Sequence, residues 1–317
     1  MLLQISLLIL GFLLLIKGAD WLIKGASSLA KAKNVSDLII GLTIVAFGTS
    51  APELVVNIVA AFQEREDLVF GNVLGSNNFN LFIILGITGL ISPLVVQRST
   101  IRMEIPISLG AVIIFYILGN SFLSEQAILS RFEGVFLLVL FGGFLFYIKR
   151  QLANKPVERP AETKTVSSLK ITGLIIIGLI GLVLGGKLVV DSASSIAGFF
   201  GLSEKIIGLT IVAAGTSLPE LATSVMAALK KNTDIAVGNI IGSNIFNMLL
   251  ILGSSAVVRP LVYDPIFNNE VFLLLGGTLF LMIFMFTGAR KRLDRWEALI
   301  LLVSYLVYTT ILIQNEI

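Results

Sequence analysis

Glu53 and Glu220 each stand about 15 residues inside an apolar stretch. A carboxylate at that depth in a membrane costs several kcal/mol unless it is paired or solvated, and such residues mark ion or proton pathways. No Lys or Arg stands at a matching depth, so a bound cation is the simpler compensation. Each acid follows a proline, Pro52 and Pro219. A proline inside a helix removes a donor and pushes away the carbonyl four residues earlier. The carbonyls of Gly48 and Gly215 should lose their usual bonds, letting neighbours such as those of Ala46 and Ala213 tilt into a cavity. Broken helices at membrane depth are tolerated where freed backbone groups meet protein, water or an ion.

Helical spacing gathers further oxygens around the acids. Ala46, Thr49 or Ser50, and Glu53 recur at intervals that share one helix face, as do Ala213, Thr216, Ser217 and Glu220. In the following stretch Asn72, Ser76 and Asn80 form a polar stripe, repeated by Asn239, Ser243 and Asn247. Taken singly, such residues serve equally well as hydrogen bonds between membrane helices. The GxxxG glycines Gly71, Gly75, Gly238 and Gly242 are expected to pack closely. Carboxylates, hydroxyls, amide oxygens and carbonyls, with no nitrogen or sulfur ligand, suit hard cations: calcium, sodium or magnesium. One calcium neutralises two carboxylates, whereas at least two sodium ions are needed for the same balance. Competition of that kind at one acidic site is the physical basis of an exchanger.

The elements that hold these residues must span a bilayer. Of 317 residues, 56% are hydrophobic and 14% charged, which excludes a water-soluble globular enzyme. There is no cysteine and no histidine, so thiolate chemistry, a Ser-His dyad and histidine metal sites are absent. Apolar segments near 2–29, 38–62, 68–92, 103–122, 128–148, 168–198, 205–229, 235–258, 269–288 and 296–315 predict an all-α integral membrane protein of ten transmembrane helices. The polar stretch 149–170 parts five spans from five, giving a first unit over 1–148, a linker over 149–167 and a second unit over 168–317. Residues 39–54 match residues 206–221 at 14 of 16 positions, an offset of 167, and 71–80 match 238–247 at seven of ten. An odd number of spans per copy inverts the second copy, which is the architecture of secondary transporters with a site near the midplane. With the N-terminus outside, 16 Lys and Arg fall in inner loops and four in outer loops. The bias predicts both termini outside and a cytoplasmic linker.

The paired GTSxPE segments, each followed by GNxxGSNxxN, resemble the repeats of the cation/calcium exchanger superfamily, most closely its prokaryotic Na⁺/Ca²⁺ antiporters. The resemblance runs the whole chain. It implies calcium held by Glu53, Glu220, Thr49 and Thr216. Sodium positions would use Ala46, Ser50 and Ser243 on one side and Ala213, Ser217 and Ser76 on the other, with Asn80 and Asn247 lining the middle. It also implies that the first and sixth spans slide as a gate, for which Gly18, Gly25, Ala26, Gly185, Gly186 and Ala193 supply small residues. Asn247, where potassium-dependent relatives carry an aspartate, argues against potassium dependence, and the lack of histidine argues against the Ca²⁺/H⁺ branch. A cation/proton antiporter using the same glutamates is the alternative. The expected substrates are Ca²⁺ and Na⁺, with no cofactor, no nucleic acid, and no protein partner beyond the bilayer.

Overall fold

The computed structural model describes residues 2–120, 127–154, 167–200, 213–288 and 290–316. The chain is helical throughout: α1 (Leu2–Ala32), α2 (Asp37–Thr49), α3 (Ala51–Phe62), α4 (Glu66–Ile91), α5 (Thr100–Gly119), α6 (Arg131–Asn154), α7 (Ser168–Phe199), α8 (Leu218–Leu229), α9 (Thr233–Val258), α10 (Asn268–Phe284) and α11 (Arg295–Glu316). Polar caps start several of them. The Ser36 hydroxyl accepts from the Ile39 amide, Ser167 from Lys170 and Asn232 from Ile235, satisfying donors that a first helical turn leaves free.

Among the described residues seven helices are long and apolar enough to cross a membrane. The pair α2 and α3, bent by 46° at Ser50, brings the count to eight when taken as one broken span. Of the seventh predicted segment, 205–229, residues 205–212 lie outside the described residues, and the helix described within it, α8, has 12 residues. The polar stretch over 155–166 also lies outside them. The 31 residues of α1 reach about 46 Å at 1.5 Å each, more than the roughly 30 Å hydrocarbon layer, so this helix must tilt.

Burial ranks the helices. The apolar window of α9 is 94% buried and that of α4 72%, against 22% for α1. The two helices carrying GNxxGSNxxN are therefore the centre, and the plainly apolar helices form the lipid-facing rim with Phe12, Phe132, Phe146 and Ile180 exposed. Two-residue strands fasten the ends. β1 (Leu94–Val95) pairs antiparallel with β4 (Arg292–Leu293), and β2 (Ile128–Leu129) with β3 (Leu261–Val262). Each joins the first half of the chain to the second, and sequential helix crossings put the two pairs at opposite ends of the bundle.

Glycines set the closest approaches. On α1, Gly11, Gly18 and Gly25 meet α7 so tightly that a Cβ on Gly18 would lie 2.8 Å from the Gly178 carbonyl oxygen, and one on Gly185 2.8 Å from that of Gly11. The order of these contacts makes α1 and α7 antiparallel. Gly238 and Gly242 of α9 press on α2, where a Cβ would lie 2.8 Å from the Leu38 oxygen or the Ala46 Cβ. The expected packing of Gly71 and Gly75 cannot be read in the same way. At the 167-residue offset their facing segment falls in 201–212, outside the described residues.

Candidate cation site

Both acids stand at the start of a new helix. Ser50 (φ −85°, ψ 3°) and Ser217 (φ −89°, ψ 6°) leave helical geometry in the same way, and α3 and α8 begin at the next residue. Pro52 and Pro219 thereby occupy the first turn, where a missing N–H costs nothing. This corrects the expectation of one continuous face from Ala46 through Glu53: Ala46 and Thr49 end one helix, and Glu53 opens another. The break brings a benefit that spacing alone did not suggest. Glu53 and Glu220 lie at helix N-termini, where the backbone dipole favours negative charge.

The two carboxylates are 2% and 1% exposed and lie within electrostatic reach of each other. Among the described residues neither makes an ion pair with Lys or Arg. Nor do any three acidic side chains gather there, so oxygens other than carboxylates must complete any cation's shell.

Those oxygens come from α4 and α9, each half of the chain serving the other. Ser50 Oγ lies 2.9 Å from Glu220 Oε1 and 3.0 Å from Ser243 Oγ, which is 3.5 Å from the same carboxylate oxygen. Thr49 Oγ1 lies 3.1 Å from Asn239 Oδ1, and Thr216 Oγ1 3.3 Å from Asn72 Oδ1. Asn239 also donates to Ser224 Oγ at 3.0 Å, and Asn57 donates to the Glu53 carbonyl at 2.8 Å. Asn80 donates to Asn244 Oδ1 at 3.0 Å, and Asn247 to Asn77 Oδ1 at 3.0 Å. Asn80 and Asn247 sit on matched π-helical turns, Phe79–Ile84 and Phe246–Ile251, a distortion often found at functional sites.

The amide nitrogens of Asn80 and Asn247 are thus engaged while their oxygens are not. Asn80 Oδ1, Asn247 Oδ1, Ser76 Oγ, Ser217 Oγ, Glu53 Oε2 and Glu220 Oε2 are all buried without a hydrogen-bond partner. Each such atom costs about 1–3 kcal/mol when left unsatisfied. These six are oxygens, a chemistry that suits a hard cation, and the Asn72 amide nitrogen is buried without a partner beside them. The Ala46 carbonyl does not stand free as expected, since it accepts from the Ser50 amide at 3.0 Å and Thr49 Oγ1 lies 3.3 Å away. Ala213 is the first described residue after 212 and is helical, with Ala214 and Gly215.

Asn77 and Asn244 were not among the residues singled out from the sequence, although both stand in the duplicated GSN triplet. Their identity in both copies was the available signal. Asn72 and Asn239 were read as a stripe and prove to be the partners of Thr216 and Thr49.

Comparison with known proteins places the chain in a family. A family profile described as "Sodium/calcium exchanger protein" matches residues 3–149 and again 170–314. The chain is 39% identical over 300 residues to the putative antiporter CaxA of Alkalimonas amylolytica, covering 91% of this chain and 92% of that one. It is 32% identical over 346 aligned positions to the sodium/calcium exchanger MaX1 of Methanosarcina acetivorans, covering 96% and 97%. Among solved structures, the sodium-calcium exchanger NCX_Mj soaked with zero Na⁺ and Ca²⁺ superposes with a TM-score of 0.84 at 32% identity, over 98% of this chain and 99% of that one.

Proposed function

Because the chain belongs to the sodium/calcium exchanger family, a family of membrane antiporters and not of enzymes, we propose that it exchanges Na⁺ for Ca²⁺ by alternating access at the Glu53–Glu220 site. The observation that carries this reading is the set of six buried, unpartnered oxygens between the two acids and the two polar helices. Calcium takes Glu53, Glu220, Thr49 and Thr216; its charge cancels both carboxylates, and its six to eight ligands draw on both halves of the chain. Sodium takes Ser50 and Ser243 with Ala46 on one flank and Ser217 and Ser76 with Ala213 on the other. Asn80 and Asn247 turn their free amide oxygens to the middle. When sodium arrives at the first flank, the Ser50–Ser243 and Ser50–Glu220 bonds give way to ion contacts, so binding there is coupled to rearrangement of α2 against α9. More sodium charge than calcium charge crosses per cycle, which makes the exchange electrogenic.

The same reading arranges the chain as ten spans in two inverted five-helix units, 1–148 and 168–317, joined by a cytoplasmic linker over 149–167, with both termini outside. The separate family matches over the two halves and the strand pairs at opposite ends support it. The α1–α7 pair is the sliding gate, moving as one unit, since its glycine contacts leave no lipid between the two helices. Radioactive calcium uptake into proteoliposomes loaded with sodium or with potassium, at equal pH inside and out, tests the function. Uptake is expected with sodium only; equal uptake in both would overturn it, and uptake driven by a pH step alone would assign protons as the counter-ion.

A further inference from the structure

α1 is fastened to the rest of the bundle at one end. Lys230, which caps α8, places Nζ 2.5 Å from Asp20 Oδ1 and 3.1 Å from the Asp20 carbonyl oxygen. Lys24 completes the cluster at 2.8 Å from Asp20 Oδ2. One turn further along α1, Asn232 donates to Ser27 Oγ at 3.1 Å and to Asp37 Oδ2 at 3.2 Å. All these groups lie on the same end as Lys33 and the start of α7, the linker end. Asp20 and Lys230 are 22% and 27% exposed as side chains, sheltered enough for the pair to outweigh an ordinary surface bridge.

Among the described residues the other half of the chain shows no matching cluster. At the 167-residue offset α1 corresponds to α7 and α8 to α3, so the matching contact would join α7 to α3. There Asp20 is replaced by Lys187, Lys24 by Asp191 and Lys230 by Gln63. Lys187 and Asp191 are exposed and form no ion pair among the described residues. Packing follows the same asymmetry. α1 lies along α8, whereas α7 leaves an apolar groove of about 510 Å³ against the break in α2 and α3, with Gly48 and Ala51 on one wall and Leu179 and Val183 on the other.

We propose that Asp20 and Lys230 form a latch that holds the linker-side gate shut, so that they are positioning residues setting which face of the membrane the cation site opens to. The inference rests on the sliding-gate reading above. If α1 slips by one helical turn, about 5.4 Å, the carboxylate leaves the ammonium behind and a charge is exposed inside the bilayer. Among the described residues α7 carries no such bond to break. The resting exchanger therefore favours the state closed at the linker face, and a cation approaching from that face binds only the minor open fraction, which weakens its apparent affinity in proportion.

The test uses Asp20→Asn, Lys230→Gln and the swap Asp20→Lys with Lys230→Asp, assayed as full-length protein in oriented membrane vesicles. The readout is the calcium concentration giving half-maximal sodium-driven exchange, from the linker face relative to the opposite face. Each single variant is expected to lower that ratio about fivefold, as loss of a partly sheltered ion pair predicts, and the swap to bring it back toward the parent. A ratio unchanged in both single variants, or a swap no closer to the parent than they are, overturns the latch. Should one single variant fail to fold, the other read against the swap decides: a lowered ratio that the swap restores supports the latch, and an unchanged or unrestored one overturns it. Labelling of Ala26→Cys separates this from the gate itself. Labelling that responds to sodium and calcium in the parent but is no greater in the variants removes only the latch. Labelling indifferent to ions throughout removes the sliding gate and the latch with it.

Discussion

The two flanks of the site are chemically alike but bonded differently, and that difference gives a sharp test. Ser50 is bonded to Glu220 at 2.9 Å and to Ser243 at 3.0 Å, whereas Ser217 and Ser76 keep their hydroxyl oxygens unpartnered. A hydrogen bond to a charged group contributes roughly 1.5–3 kcal/mol, and a buried hydroxyl with no partner costs about 1–3 kcal/mol. In ion-free buffer Ser50→Ala should therefore destabilise the protein by about 2 kcal/mol, while Ser217→Ala should be neutral or stabilising. At about 2 °C per kcal/mol for a chain of this size, Ser50→Ala should melt roughly 4 °C lower than the parent in detergent, with Ser217→Ala at or above it. Adding sodium changes the pattern, because both hydroxyls are ligands: the sodium-dependent rise in melting temperature should shrink in both variants. Ser217→Ala falling as far as Ser50→Ala without ions would refute the asymmetry. An undiminished sodium response in Ser217→Ala would remove that residue from the site.

Glu53→Gln and Glu220→Gln should each abolish sodium-driven calcium uptake while leaving detergent elution and helical content unchanged; near-parental uptake in either would sink the site assignment. Exchange should change rate with a potassium-diffusion potential set by valinomycin, and indifference to that potential would mean an electroneutral cycle. Gly238→Ala should lower thermal stability by at least a few kcal/mol's worth of strain, because its Cβ would meet backbone atoms of Leu38 and Leu42 at 2.8 and 2.9 Å; a variant melting like the parent would refute that close approach. Cysteines replacing Lys33 and Arg65 should label with an impermeant reagent from opposite sides of oriented vesicles; labelling from the same side would break the proposed topology.

Much of the site was legible because duplication filters a sequence. A lone Pro52 or Ser76 has an ordinary packing explanation, but the same residue recurring 167 positions later at the same depth in an apolar run does not. What periodicity could not show was the effect of Pro52 and Pro219 on their own helices. A strictly helical reading joined Ala46 to Glu53 on one face, whereas the proline ring displaces the backbone at Ser50 and turns the acid onto a helix N-terminus. Cross-half bonds were equally hidden. Asn244 holding Asn80, and Asn77 holding Asn247, depend on how two inverted units face each other, which no spacing within one unit encodes. The central role of α4 and α9 was also masked, since their asparagines and serines lower the apolar signal that marks lipid-facing helices most strongly.

Inverted duplication builds a site with equal ligands from each side, yet a carrier must at any moment be unequal, open to one face and closed to the other. The asymmetry here has two sources, the unequal bonding of identical residues and the identity of residues that differ between the copies. Within the site, the Ser50, Ser243 and Glu220 oxygens close on one another while the matching Ser217, Ser76 and Glu53 oxygens stay open. Outside it, α1 is pinned by Asp20 and Lys230, whose places at the 167-residue offset are taken by Lys187 and Gln63. The duplicated residues therefore define what is bound, and the unduplicated ones decide from which side. Exchanging the second group between the halves, by Lys187→Asp together with Gln63→Lys, should give both gates a comparable bond and draw the calcium affinities at the two faces together. A transporter whose sidedness ignored that exchange would have to store its asymmetry in the ligands themselves.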